Sequence, residues 1–160
     1  MDSSDILIFL HIAAVVVALG ATFSYPFMQA FGEKKGVAAT RVVLQAGERL
    51  ENVLVIPGAI LVFVFGLGLT FDSHLTYKDK MPAWLTIGIA WYLVAFAVAV
   101  LVQRRQVKKA IAALEGVPDG PELPAAYKAI GPRIQMVGGL LGLSIVGIAF
   151  LMVMGANGVW

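Results

Sequence analysis

The sequence predicts an all-α integral membrane protein, a bundle of four transmembrane helices with both termini on the outer side. Three observations carry this. The 160 residues are 59% hydrophobic and 14% charged, against about 25% charge in ordinary soluble domains. The mean hydropathy is +0.86. Four apolar runs, about residues 6–25, 53–71, 84–102 and 134–155, each approach the ~20 residues that carry a helix across ~30 Å of hydrocarbon. With no water in that layer to satisfy backbone groups, such runs must be helical. The spans take half of the chain, so the expected organisation is a single integral membrane domain over residues 1–160.

The first run, Ile6–Tyr25, has no acid or base, and His11 is its one titratable imidazole. On a helix His11, Ala14, Ala18, Ala21 and Tyr25 share one stripe. An imidazole is unfavourable against lipid tails without a partner, so His11 is expected to face the protein interior. The acidic MDSSD start lacks the basic region of a cleavable signal, so the first run is expected to be a retained helix.

The segment Pro26–Asn52 is expected to be a loop whose second part, from Val37 to Leu54, is the helical base of the second span. Arg41, Gln45, Glu48 and Asn52 would form its polar side. Pro57 should kink the second span or free a carbonyl. Gly66 and Gly68 permit close approach near its outer end. A short polar loop containing His74 leads to Trp84, an interfacial aromatic opening the third span. That helix should run on through QRRQVKKAIAALEG to Gly116, and VPDGPELP should be an irregular connector. In the fourth span Gly138 and Gly142 have the small-residue spacing at which helix backbones meet.

Charge placement sets the expected orientation. Lys34, Lys35, Arg41 and Arg49 lie between the first two spans, and Arg104, Arg105, Lys108, Lys109, Lys128 and Arg133 between the last two. Only Lys78 and Lys80 lie between the second and third. The positive-inside rule then puts both termini outside. A net charge of +2 distributed in this way serves orientation and anionic headgroups and gives no reason to expect nucleic-acid binding. The absence of cysteine excludes disulfides, thiolate metal sites and thiol catalysis. No phosphate loop, Ser/His/Asp set or intramembrane carboxylate pair occurs, so ion-driven transport is disfavoured and the chain reads as no enzyme by itself.

His11 lies about 9 Å from the outer boundary. In this topology His74, Met81, Met152 and Met154 share its depth. Imidazole and thioether are neutral ligands for haem iron or copper. His11 is therefore a candidate axial ligand of a b-type haem, with His74 or a methionine as second metal ligand. Ala14 and Ala18 would leave room for the flat macrocycle, and Arg49 is a candidate for an acidic group such as a propionate or a lipid phosphate. The competing reading of His11 is a hydrogen bond across a helix pair. That of Arg49 is a solvated rim, and that of Trp84 and Trp91, seven apart on one face, is packing.

The layout of His11 with Pro26, Glu48-Arg49-Leu50 leading to Pro57 and Gly66, and Trp84-Leu85 resembles a bacterial family of four-helix predicted integral membrane proteins of unknown function. More distantly it resembles the HemJ-type protoporphyrinogen oxidases and the membrane domain of CopD-type copper proteins. The HemJ resemblance implies haem b on His11. Those oxidases carry a lysine soon after the Trp-Leu pair, where this chain reads Thr86-Ile87-Gly88, so the resemblance implies haem handling or electron transfer more than the oxidase reaction. It also implies a multi-pass protein of the bacterial inner membrane. The alternative is a cofactor-free structural or accessory subunit, with a membrane-protein partner or a second copy packed on the glycine-rich fourth helix.

Overall fold

A computed structural model describes residues 3–71 and 81–158, and every described regular element is helical. Helix α1 (Ser3–Lys35) is the first span. Helix α2 (Val37–Leu50), a π-helical turn (Glu51–Val55) and α3 (Ile56–Phe71) form one continuous second helix. Helix α4 (Ala83–Val98), a second π-helical turn (Ala99–Gln103) and α5 (Arg104–Ala112) form the third. A short α6 (Ala125–Lys128) leads into α7 (Gly131–Ala156), the fourth span. All four long helices are apolar and long enough to cross a membrane, as the composition predicts.

One expectation is corrected. Pro26 does not begin a loop, because α1 runs through it for 33 residues to Lys35. That is about 50 Å, well beyond one hydrocarbon layer. A proline removes one backbone donor, and in membrane helices the freed carbonyl is tolerated because neighbouring groups re-satisfy it. The reversal comes instead at Gly36, whose φ of +96° requires glycine and whose α-carbon faces the Gly120 carbonyl too closely for any side chain. Val37 N–H donates to that same carbonyl at 2.9 Å, tying the turn to the VPDGPELP connector.

Three further expectations for the helices are met. The second span has its helical base from Val37 onward. Pro57 cannot donate to the Val53 carbonyl, and the π-helical turn spans that residue. The third helix continues to Ala112 and turns out through Gly116 at φ +70°.

The bundle has two unlike ends. At the basic end, where Lys34, Lys35, Arg41, Arg49 and the α5 cations collect, the helix extensions form a compact cap. Val37 and Leu44 pack against Val107, Ala110, Ile111, Leu114, Tyr127 and Ile134, all buried. The Arg41 guanidinium spans the connector. It donates to the Leu114 carbonyl at 3.1 and 3.3 Å and to the Val117 carbonyl at 2.7 Å, and it reaches Asp119 at 3.2 Å. Carbonyls left open where α5 ends are thereby satisfied. Beside it the Glu33 carboxylate accepts from Tyr127 Oη at 2.6 Å, Gln29 Nε2 at 3.0 Å and Gln135 Nε2 at 3.1 Å.

Candidate functional site

Within the spans the helices pair in two antiparallel couples. The first is α1 with α3. Ala18 is fully buried and packs directly on Gly58, while Leu7 lies over Gly68. Further toward the basic end the Tyr25 ring covers Gly47 of α2. The second couple is α4 with α7. Trp84 fills the notch at Gly155, Met152 the notch at Gly88, and Trp91 the notch at Gly147. The seven-residue tryptophan spacing is thus a packing ladder.

The couples stand further apart from each other, and large side chains bridge them. Tyr92 on α4 donates its hydroxyl to the Ala59 carbonyl at 2.6 Å and stacks on Phe63, with ring centroids 6.1 Å apart. Between the couples runs a cavity of about 660 Å³, lined by all four spans from Ile8 to Gln29 along α1. Its wall is mostly apolar. Its polar members include His11 and Thr70 toward the terminal end and Tyr25, Glu51, Gln103 and Gln135 toward the basic end.

His11 is half-buried and lines this cavity. Its Nδ1 lies 2.9 Å from the Val62 carbonyl. A carbonyl can only accept, so Nδ1 carries the proton in this bond and Nε2 keeps its lone pair. Among the described residues Nε2 has no hydrogen-bond partner. Gly66, one turn from Val62, makes the approach possible, since a Cβ there would stand 3.1 Å from the imidazole.

The other candidates scatter. Ala14 and Ala18 do not line the cavity: Ala14 is half-buried, and Ala18 is consumed by the contact with Gly58. Arg49 is exposed on α2 and is not part of the lining. His74 falls outside the described residues. Met152 lines the cavity toward the terminal end. Among the described residues no cluster of three or more His, Asp or Glu side chains could hold a metal ion by itself. The Gly138 and Gly142 pair is also placed differently from its expected role. Both line the cavity; a Cβ added at Gly138 would press on the Gln103 side chain and one at Gly142 would touch the Phe23 ring, and among the described residues no helix backbone meets them there.

Sequence reasoning missed Tyr92, Gln103 and the Glu33 network. A tyrosine or glutamine inside an apolar run was the available signal, because each needs a hydrogen-bond partner in lipid. At the cap, burial and the hydrogen bond to Glu33 both push the Tyr127 phenol above its ordinary pKa.

No curated protein and no solved structure matches the chain. The family model described as predicted integral membrane protein (DUF2269) matches residues 5–155, nearly the whole length, and the chain belongs to that family.

Proposed function

We propose that this protein holds a b-type haem in the cavity between its helix couples, with His11 as the residue that would hold its iron, for electron transfer or haem handling. One observation carries the reading. A cavity-lining imidazole spends its Nδ1 proton on the Val62 carbonyl and keeps an Nε2 that has no hydrogen-bond partner among the described residues. Ligand histidines are oriented by this same kind of bond, which fixes the tautomer and raises the basicity of the other nitrogen. The residues present fit the group in two further respects. A cavity of about 660 Å³ lies within the ~300–1,000 Å³ range of ligand sites. Met152, seated in the notch at Gly88, also lines the cavity toward the terminal end, and its thioether is a neutral ligand type for iron; His74 is the other candidate for the second position. When bound, the haem would supply one-electron chemistry. The chain's part is to hold the imidazole and exclude water.

The charge distribution supports placing both termini outside a bacterial inner membrane, with the cap on the cytoplasmic side. Protein purified from haem-replete cells is expected to show a Soret band that His11→Ala abolishes. Colourless wild-type protein, or an unchanged band in the variant, overturns the reading.

A second reading, a structural subunit without a cofactor, is favoured by Gly139. It is exposed on α7 with open space where a side chain would stand, which suits a partner helix or a second copy. Stable co-purification in mild detergent, lost in Gly139→Leu, supports it. Partner-free monomer excludes it.

A further inference from the structure

The basic end of the cavity carries a charge that the haem reading does not use. Among the described residues the lining contains one acid, Glu51, and no lysine or arginine. Glu51 is half-buried, and among the described residues its carboxylate makes neither a hydrogen bond nor an ion pair. The Tyr25 hydroxyl and Gln103 Oε1 at the same end are enclosed atoms that nothing entering the cavity could reach. The Glu51 oxygens are not enclosed.

The neighbouring charges leave that carboxylate open. Arg104 and Lys108 act on it electrostatically, and Glu48 acts with the opposite sign, but none of the three is part of the lining. Arg104 is engaged with Asn52 Oδ1 at 2.7 Å, and Lys108 is exposed. A carboxylate beside an apolar gap is unfavourable unless a positive charge stands against it.

The rings in the wall favour the same sign of charge. Phe63, Tyr92 and Phe96 line the cavity as one stack, with the Tyr92 and Phe96 centroids 6.5 Å apart. Phe96, one turn along α4 from Tyr92, is the member nearest the basic end. Aromatic faces attract cations. Glu51 also opens a π-helical turn, and a second such turn ends at Gln103 in the same lining. Turns of this kind recur at functional sites.

The wall narrows the class of cation. A metal ion needs several oxygen or imidazole ligands, and among the described residues no group of three His, Asp or Glu is available. A mostly apolar cavity of about 660 Å³ instead suits a drug-sized organic ion with diffuse charge and apolar substituents.

We propose that the basic end of the cavity binds a lipophilic organic cation, its charge set against the Glu51 carboxylate and its apolar groups among residues such as Phe96, Ala99 and Ile145. Glu51 is about 17 Å along the second helix from Val62, the partner of His11. The inference therefore concerns the opposite end of the cavity from the imidazole and does not depend on the haem.

The test is equilibrium dialysis of the full-length protein in detergent, at mildly alkaline pH, with radiolabelled tetraphenylphosphonium. The comparison ion is tetraphenylborate, an anion of nearly the same size and shape, and protein-free micelles correct for partitioning. The cation is expected to bind with a Kd roughly tenfold below that of the anion. Glu51→Gln keeps the side-chain size and removes the charge. It should weaken the cation about tenfold without weakening the anion. Glu48→Gln, outside the lining, should leave the Kd of the cation within about twofold. The unaltered chain provides a second measurement. Tetraphenylphosphonium at about ten times its Kd should slow labelling of Glu51 by dicyclohexylcarbodiimide about tenfold, read by peptide mass spectrometry. His11→Ala should remove any Soret band and leave cation binding intact, and Glu51→Gln should do the reverse, so the two readings fail separately. Absent or equal binding of the two ions, full cation binding by Glu51→Gln, or labelling of Glu51 unchanged by the cation overturns the proposal.

Discussion

Leu44, Leu114, Tyr127 and Ile134 in the cap are almost wholly shut away from solvent, whereas the apolar windows of the four spans bury only 6%, 17%, 11% and 0% of their residues. The difference follows the solvent on either side. At the cap, in contact with water, apolar side chains gain by leaving solvent and gather into a core. Within the bilayer lipid tails are as apolar as leucine, so close packing and hydrogen bonds hold helices together. The spans accordingly meet at a few notches, Ala18 on Gly58 or Trp91 on Gly147, and elsewhere stand apart. The cap fixes where the helices enter the membrane, and the sparse contacts beyond it leave room for a cavity.

Substitutions that separate the two regions test this account. Leu44→Ala removes a fully buried side chain from the cap, and large-to-small changes of this kind destabilise by about 2–5 kcal/mol. Val16→Ala shortens a side chain that is 64% exposed toward lipid and is expected to change stability by under about 0.5 kcal/mol. Thermal unfolding in one detergent compares them directly. Equal losses would mean that the cap is not the stabilising region.

Tyr127→Phe addresses the polar side of the cap. The phenol donates to the Glu33 carboxylate at 2.6 Å, and a hydrogen bond to a charged group contributes about 1.5–3 kcal/mol. The substitution should lower stability by that order while leaving helix content unchanged by circular dichroism. Exposed Asp119, paired with Arg41 at 3.2 Å, provides the contrast, since exposed ion pairs contribute about 0–1 kcal/mol. Asp119→Ala should be nearly silent.

The spans were legible in the sequence because run length and apolarity are local properties. Helical character on both sides of the membrane boundary was legible too, from Val37–Leu54 and from QRRQVKKAIAALEG. The passage of α1 through Pro26 was not, because the proline rule that ends a helix in water is relaxed in lipid. Nor was the cap network, since Glu33 and Tyr127 are 94 positions apart and nothing local links them. At the site, periodicity correctly turned His11 inward. Periodicity also put Ala18 on the same stripe, yet a stripe does not reveal where along its length it meets another helix and where it meets a cavity. Ala18 meets Gly58; His11, two turns away, reaches both Val62 and the cavity.

That first couple is the sharpest contact within the membrane, and Gly58→Leu is the way to break it. A side chain at Gly58 would overlap Ala18, and overpacking of this kind destabilises by about 1–3 kcal/mol. Because Gly66 and His11 lie on the same two helices, forcing them apart should also lengthen the imidazole bond to Val62. The expected result is a lower unfolding temperature together with loss of any His11-dependent absorbance. Gly139→Leu on α7, where space is open, should do neither to the isolated chain.

A smaller effect belongs to the bridge between the couples. Tyr92 spans the gap with one hydrogen bond to the Ala59 carbonyl at 2.6 Å, while its ring stacks on Phe63 and Phe96. Tyr92→Phe removes the hydrogen bond and keeps the stack. Hydrogen bonds between membrane helices average about 0.6 kcal/mol, because the freed carbonyl retains its own helical partner. Tyr92→Ala removes the spacer as well, so its effect should exceed that of the phenylalanine variant several-fold and change the cavity itself. If stacking sets the width of the gap, the unfolding temperature changes little in Tyr92→Phe and falls clearly in Tyr92→Ala. If both variants melt alike, the couples are held at their distance by the cap, and the aromatic bridge only fills a space defined elsewhere.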